Sequence, residues 1–317
     1  MECSDLRILF AGNPAIGVPT LQVLAATYNV VGVLTNPDRP AGRGRTLEAP
    51  PIKQEALKLG IPVLQFDRLK KDARDEVVKL APNLLISFAC SHYFGPMFLN
   101  LFSFGAMNIH PSLLPKYRGS APIQFALLND EEQTGISIQR IAAEIDSGNI
   151  LASETIDLDG TETTAQLTDR VALQVPDVLL KTLAKMCAGE IVEKEQEHAE
   201  ATFSRLLTKE DGLIDWKQSA RMIHCKVRAF LPWPRAVTTF EGTPLAITGV
   251  SGCESDPAVS DIEPGTVTAF IKGKGLAVVC GDGIVYISRL QLAKKKEMDS
   301  ASFVNGNPQI VGSVLGN

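Results

Sequence analysis

Arg7-Ile8-Leu9-Phe10-Ala11 is a short apolar run, and Gly12-Asn13-Pro14 closes it. A run of that length ending in turn residues reads as a buried strand and its exit. Apolar residues at helical spacing follow over 18–26, then a second run, Val30-Val31-Gly32-Val33-Leu34. Residues 84–88 and 106–109 read as further strands, with helices between them. Strands that alternate with helices predict an α/β domain on a Rossmann-like, mainly parallel sheet covered on both faces. Ligands of such sheets bind beyond the carboxyl ends of the strands. The loops after Leu34, Phe88 and Ile109 are therefore the places to look for chemistry.

The pattern changes in the last third. Glu190, Glu193, Glu195, Glu197 and Glu200 make an acidic stretch that reads as a linker over 190–207. Past Asp215-Trp216 and a helical segment at 220–228, short β-rich runs occupy 236–240, 245–250, 265–271, 276–280 and 284–290. Turn residues such as Gly281-Asp282-Gly283 separate them. Closely spaced short strands fit a small barrel or sandwich. The expected organisation is a domain over 1–189, the linker, and a second domain over 208–317. A chain of 317 residues suits two domains at roughly 150 residues each.

With 45% hydrophobic and 21% charged residues the chain has the composition of an ordinary folded protein, not of a disordered, collagen-like or coiled-coil one. Met1-Glu2-Cys3-Ser4-Asp5 is acidic where a signal peptide is basic, and no apolar run approaches the ~20 residues that span a bilayer. A cytoplasmic protein without a membrane partner is expected. The six cysteines form no CxxC pair and are expected to be reduced. His92, His110, His198 and His224 share no metal-ligand spacing, so no metal is expected. Net charge is −5, with −6 in the first 208 residues and +1 in the rest, while basic residues cluster at Arg39, Arg43 and Arg45, at Lys226, Arg228 and Arg235, and at Lys294-Lys295-Lys296. Composition thus leaves an RNA partner open. Residues 12–17 form neither a Walker A loop nor a GxGxxG fingerprint.

The chemistry concentrates in Asn108-Ile109-His110-Pro111-Ser112-Leu113-Leu114-Pro115-Lys116-Tyr117-Arg118-Gly119. A strand ends here by presenting a carboxamide and an imidazole two residues apart, and period-2 geometry turns both to the same side. Such a pair can hydrogen-bond a carbonyl oxygen as it gains negative charge, the requirement of acyl transfer. A carboxylate is still needed beside the imidazole, and Asp146, in Asp146-Ser147-Gly148, is the candidate.

These two segments resemble the signature of the folate-dependent formyltransferases: Asn-x-His-x-Ser-Leu-Leu-Pro, an aromatic-Arg-Gly, and a distal Asp-x-Gly. The resemblance runs along essentially the whole chain. It implies that Asn108, His110 and Asp146 act on the formyl group of 10-formyltetrahydrofolate and that Ser112, Leu113, Leu114 and Pro115 line the folate pocket. Pro37-Asp38-Arg39-Pro40-Ala41-Gly42-Arg43-Gly44-Arg45 resembles a basic insertion found in the members that formylate the α-amine of initiator methionyl-tRNA. It implies tRNA contacts from Arg39, Arg43 and Arg45; residues 265–306, with Leu290-Gln291 and Lys294-Lys295-Lys296, resemble the OB-like β-barrel of those members, which implies a tRNA-binding role for the second domain. Ile214-Asp215-Trp216 and Arg228-Ala229-Phe230-Leu231-Pro232-Trp233-Pro234 are similar to the inter-domain region of those members. No metal and no obligate protein partner are implied, and a monomer suffices. The rival within the family is transfer to a nucleotide-linked aminosugar, which has no use for the basic insertion; outside it, a noncatalytic RNA-binding module. Two departures stand out. Ala89-Cys90-Ser91 occupies the place of the family's Ala-Tyr-Gly, continuing into His92, read as a loop residue; Leu231 stands where asparagine is common.

Overall fold

The computed structural model describes residues 3–41 and 46–316. In chain order its elements are β1 (Arg7–Gly12), α1 (Val18–Thr27), β2 (Asn29–Thr35), β3 (Arg39–Ala41), β4 (Thr46–Glu48), α2 (Pro51–Lys58), β5 (Val63–Gln65), α3 (Lys71–Lys79), β6 (Leu84–Phe88), α4 (Pro96–Leu99), β7 (Ala106–His110) and β8 (Arg118–Gly119). Then come α5 (Pro122–Leu128), β9 (Gln133–Arg140), β10 (Ile150–Asp157), α6 (Thr164–Ala188), β11 (Phe203–Ser204) and α7 (Ala220–Ala229). The last are β12 (Ala236–Phe240), β13 (Thr243–Ser255), β14 (Val267–Ile271), β15 (Gly275–Val279), β16 (Gly283–Leu292), β17 (Met298–Asp299) and α8 (Ser300–Gly306).

Two compact units result. One holds the described chain up to Pro122, Gln133–Asp157 and Thr168–Ser204; the other holds Ile123–Glu132, Leu158–Leu167 and the chain from Arg205 onward. The acidic stretch expected as a linker belongs, as far as Ser204, to the first unit. Its glutamates face solvent, while Lys194 pairs with Ile150 through the backbone and Gln196 is buried.

The first unit is built on a seven-stranded sheet in the order β10-β9-β7-β6-β1-β2-β5. The five strands from β7 to β5 are parallel, and β9 and β10 add an antiparallel edge. Every residue of β6 is buried, and every residue of β1 after Arg7. Strands covered on both faces carry continuous rather than alternating apolar runs, which is why these two were legible. Leu9 and Ala11, two apart on β1, join Leu34, Val77 and Leu85 in a core with Phe94, Phe98 and Phe102. The three rings pack in tilted pairs at centroid distances of 5.7 and 5.6 Å, each contact worth about 0.5–1.5 kcal/mol beyond area burial. Strand order reverses at β1, so a crevice opens beyond the carboxyl ends of β1 and β6.

One expectation is corrected here. Cys3, in a 3-10 turn, and Cys187, in the last turn of α6, form a disulfide with Cα atoms 5.4 Å apart. Cys90, Cys225, Cys253 and Cys280 are free. A separation of 184 residues carries no spacing signal; only packing of the chain start against the end of α6 makes the pair.

The second unit contains an antiparallel sheet in the order β12-β13-β16-β15-β14, with β17 against β16. The five runs read from the sequence supply its main strands. Register shifts between Ile247 and Gly252 bend the long β13. Trp216, Ile223, Val227, Leu245, Val278, Ile287 and Phe303 fill its core. α7 starts where the Ser219 side chain accepts from the Met222 amide, which orients Ile223 and Val227 inward. Leu231 packs against this core as a partly buried apolar residue.

A polar cluster ties the unit together. Asp130, at φ +53°, receives two 2.6 Å bonds from Arg221 and one of 3.3 Å from the Cys225 thiol, and lies 3.7 Å from Arg228. The Arg221 bonds hold its carboxyl below the usual carboxylate value. Arg228 is buried, donating to the carbonyl of Glu162 and to Nδ1 of His224. Burial, with the Arg228 charge second, pushes His224 down to about 4.

Candidate active site

β7 ends in the side chains that its sequence suggested. Its backbone pairs in register with β6 on one side and β9 on the other, so Asn108 and His110 are fixed by a strand in the middle of the sheet. The loop that follows is held by its own polar groups. Ser112 Oγ donates to the Lys116 carbonyl (2.6 Å), while Ser137 Oγ on β9 donates to the Ser112 carbonyl (2.8 Å) and accepts from the Leu114 amide (3.1 Å). Leu114-Pro115 is cis and Tyr117 sits at φ +60°. This path carries the Tyr117 carbonyl to 2.8 Å from His110 Nε2. A carbonyl only accepts, so Nε2 carries a hydrogen and Nδ1 faces the other way.

What Nδ1 faces is Asp146. The carboxylate Oδ2 lies 3.5 Å from it and accepts from the Gly119 backbone N–H at 2.8 Å. Oδ1 accepts from Gln139 Nε2 at 2.8 Å and from Asn108 Nδ2 at 3.3 Å. Two short bonds from neutral donors hold the group; the β7 side chains are its looser partners. Amide, imidazole and carboxylate therefore converge across 38 residues of sequence. The loop from 141 to 149 reaches this position by tight backbone geometry: Asp146 is at φ +51°, and a Cβ at Gly148 would overlap the Arg140 carbonyl. Gly119 is equally constrained, at φ +110° with the Ser204 carbonyl where a side chain would go.

The other expected site residues are placed less uniformly. Ser112 and Leu114 are buried and Leu113 and Pro115 half-buried in the loop directly after His110. Arg39 is exposed on the β3–β4 ribbon, 3.4 Å from the equally exposed Asp67. Arg43 and Arg45 lie outside the described residues. The Ala89-Cys90-Ser91 departure is built into the crevice: Ser91 Oγ accepts from Asn36 Nδ2 (2.9 Å) and Asn13 Nδ2 (3.3 Å), linking the exits of β1, β2 and β6. His92 Nε2 lies 2.6 Å from the Phe66 carbonyl, just past β5, and its Nδ1 3.4 Å from the Cys90 thiol in its own loop, so both ring nitrogens are engaged. Burial pushes that thiol up to about 11.

The sequence did not point to Gln139 or Gln196. Gln139 stands opposite Asn108 in the β7–β9 register, a relation visible only once the strands pair. Gln196 is hidden between Glu195 and Glu197, its lack of charge being the one available sign. A cavity of about 530 Å³ lies at the opposite end of β7 from His110, lined by Phe104, Gly105, Ala106, Arg140, Ile141 and Met186. Among the described residues no group of His, Cys, Asp or Glu is arranged to hold a metal, and no helix is long and apolar enough to cross a membrane.

Comparison with known proteins places the chain in a family. The family described as formyl transferase matches residues 11–183, and the formyl transferase C-terminal domain matches 206–308. The chain belongs to the formyl transferase family. Within this family it is 40% identical to the methionyl-tRNA formyltransferase of Roseiflexus castenholzii over 98% of this chain and 99% of that protein. It is 38% identical to that of Treponema pallidum, over 98% and 99%. Solved structures share the fold at lower identity. WlaRD, a sugar 3N-formyl transferase solved with dTDP and 5-N-formyl-THF, superposes with a TM-score of 0.64 at 19% identity, over 92% of this chain and 99% of that one. HypX from Aquifex aeolicus in complex with tetrahydrofolic acid gives 0.62 at 18%, over 97% of this chain and 48% of that one.

Proposed function

We propose that this protein transfers the formyl group of 10-formyltetrahydrofolate to the α-amine of methionyl-initiator tRNA, in the cytoplasm and as a monomer. The observation that carries the reading is the 40% identity to a methionyl-tRNA formyltransferase along nearly the whole of both chains. The folate supplies a formyl carbon bonded to a nitrogen that can leave. Asn108 has a second amide hydrogen besides the one turned to Asp146, and directs it at the formyl oxygen. His110, with Nε2–H fixed on the Tyr117 carbonyl, holds a proton at Nδ1 for the same oxygen. Asp146 supplies the negative charge beside Nδ1 and takes up, through water, the proton lost as the amine nitrogen bonds to the formyl carbon; that proton passes to N10 as the bond from N10 to the formyl carbon breaks and tetrahydrofolate leaves. Ser112, Leu113, Leu114 and Pro115 form the wall of the folate pocket.

Residues 1–189 carry the chemistry in this proposal, and 208–317 bind the tRNA. Arg39, Arg43 and Arg45 contact the acceptor end, since guanidinium groups in a glycine-containing loop can approach phosphates closely. Phosphate contacts of this kind position the RNA and weaken with salt. The test is transfer of labelled formyl from 10-formyltetrahydrofolate to methionyl-initiator tRNA, run beside a dTDP-linked aminosugar. Label is expected on the tRNA alone. Preferential formylation of the sugar rejects the reading. Arg43→Ala is expected to raise KM for the tRNA several-fold and to leave KM for the folate unchanged.

A further inference from the structure

Gln196 occupies an unusual position for a residue in a run of exposed glutamates. It is 4% exposed, and both ends of its amide are used. Nε2 donates toward three acceptors: the Gly148 carbonyl at 2.7 Å, the Asp146 carbonyl at 2.9 Å and Gln139 Oε1 at 3.2 Å. Oε1 accepts from Arg118 Nη2 at 2.7 Å and Nε at 3.1 Å. Arg118 is itself 4% exposed, its Nη2 also 3.0 Å from His198 Nδ1. Two residues of the Asp146 loop, one of them Asp146 itself, thus hang on one buried carboxamide. That carboxamide also touches Gln139, whose own Nε2 holds Asp146 Oδ1.

The loop needs such a hold. Residues 142–145 are exposed, so packing does not restrain them. Asp146 keeps a left-handed backbone, at φ +51°, that non-glycine residues seldom adopt. Such a conformation persists only where the surroundings over-determine it. Gln196 grips the chain at Asp146 and at Gly148, on both sides of Ser147. Arg118 precedes Gly119, whose N–H binds the other carboxylate oxygen. The same short strand therefore fixes the carboxylate directly through Gly119 and its backbone indirectly through Arg118 and Gln196.

We infer that Gln196 is the positioning residue of the Asp146 loop: its amide, oriented by Arg118, sets where the Asp146 carboxylate stands relative to Asn108 and His110. This deepens the proposed reaction and rests on the reading of Asp146 as a catalytic group. Displacing a reacting group by about 1 Å costs on the order of 100-fold in rate, and that is the effect expected of Gln196→Ala on kcat. KM for 10-formyltetrahydrofolate and for methionyl-tRNA is expected to change less than about threefold, since substrate binding is not what Gln196 touches. Gln196→Glu keeps the length and the Arg118 contact but has no amide hydrogens for the loop carbonyls, and should lose as much turnover as the alanine variant.

The deciding measurement is a double-mutant cycle in the full-length protein with Asp146→Asn. If Gln196 acts through Asp146, adding Gln196→Ala to Asp146→Asn lowers kcat no further than about threefold. Multiplied losses overturn the inference, as does near-normal turnover of either Gln196 variant. Failure of both variants to fold by circular dichroism also overturns it, because Gln196 then holds the fold rather than the loop. Wild-type turnover in Asp146→Asn alone is a separate result: it removes the catalytic reading of Asp146, on which the inference stands.

Discussion

Asp130 and Asp146 make an instructive pair. Each sits in its own unit with a left-handed backbone, at φ +53° and +51°, and each gathers polar groups from distant parts of the chain. Asp130 is met by guanidinium groups, bidentately by Arg221 and at 3.7 Å by Arg228. Asp146 is met by a glutamine amide, a backbone N–H, an asparagine and one histidine. Arginine stays charged at any pH a protein survives, so the Asp130 cluster is locked as a structural tie. The Asp146 cluster has neutral donors and a ring nitrogen able to gain or lose a proton, which suits a group that must change state during turnover. Under the proposed reaction, the partners of the two carboxylates, more than their burial or backbone, separate the tie at Asp130 from the working group at Asp146.

The comparison breaks first, and most visibly, if the two aspartates are exchanged for asparagine. Asp146→Asn is expected to lower kcat about 1,000-fold with little change in melting temperature, within the range that acid–base and oxyanion groups contribute. Asp130→Asn is expected to do the reverse. Formyl transfer at low temperature stays within about twofold of normal, while stability falls by about 1–2 kcal/mol, because buried Arg228 loses a charged partner. Parallel steady-state and thermal-melting measurements decide between the two roles; equal loss of turnover in both variants would show the distinction to be false.

A smaller effect tests whether the Asp146 side depends on loop geometry. The side chain of Gly148→Ala would collide with the Arg140 carbonyl, forcing the loop to shift. We expect kcat about 100-fold down and a stability loss of about 1–3 kcal/mol. Unchanged kcat in a folded Gly148→Ala protein would mean that the carboxylate finds its place without this turn.

The smallest effect is in the pH dependence of the Asp130 side. His224 is pushed from 6.5 down to about 4, so in acid the unfolded chain binds its proton before the folded chain does. Stability is then lost as pH falls from about 6.5 toward 4. Asp130, held below its usual value by Arg221, acts in the same direction further down, as the carboxylate range is crossed. Melting temperature should decline over this interval, and His224→Gln should flatten its upper part; a slope identical to wild type would remove His224 from the account.

Local sequence was enough for much of this protein. The runs at β1, β2, β6 and β7 declared a parallel sheet because strands covered on both faces are mostly apolar rather than alternating, and their expected and observed spans differ by a residue or two at most. Asn108 and His110 share a side because strand period is a local property. Asp146 was found as a carboxylate in a glycine-containing loop and through the resemblance of Asp-x-Gly to the family signature; its left-handed backbone and the tight approach at Gly148 are findings of the structure. Tertiary structure alone decided the rest. Cys3 met Cys187, Gln139 met Asp146, and Gln196 came out of an acidic stretch to grip the loop. These are contacts between side chains whose partners are set by strand register and by the docking of distant segments, and no local pattern encodes a partner that folding has yet to bring near.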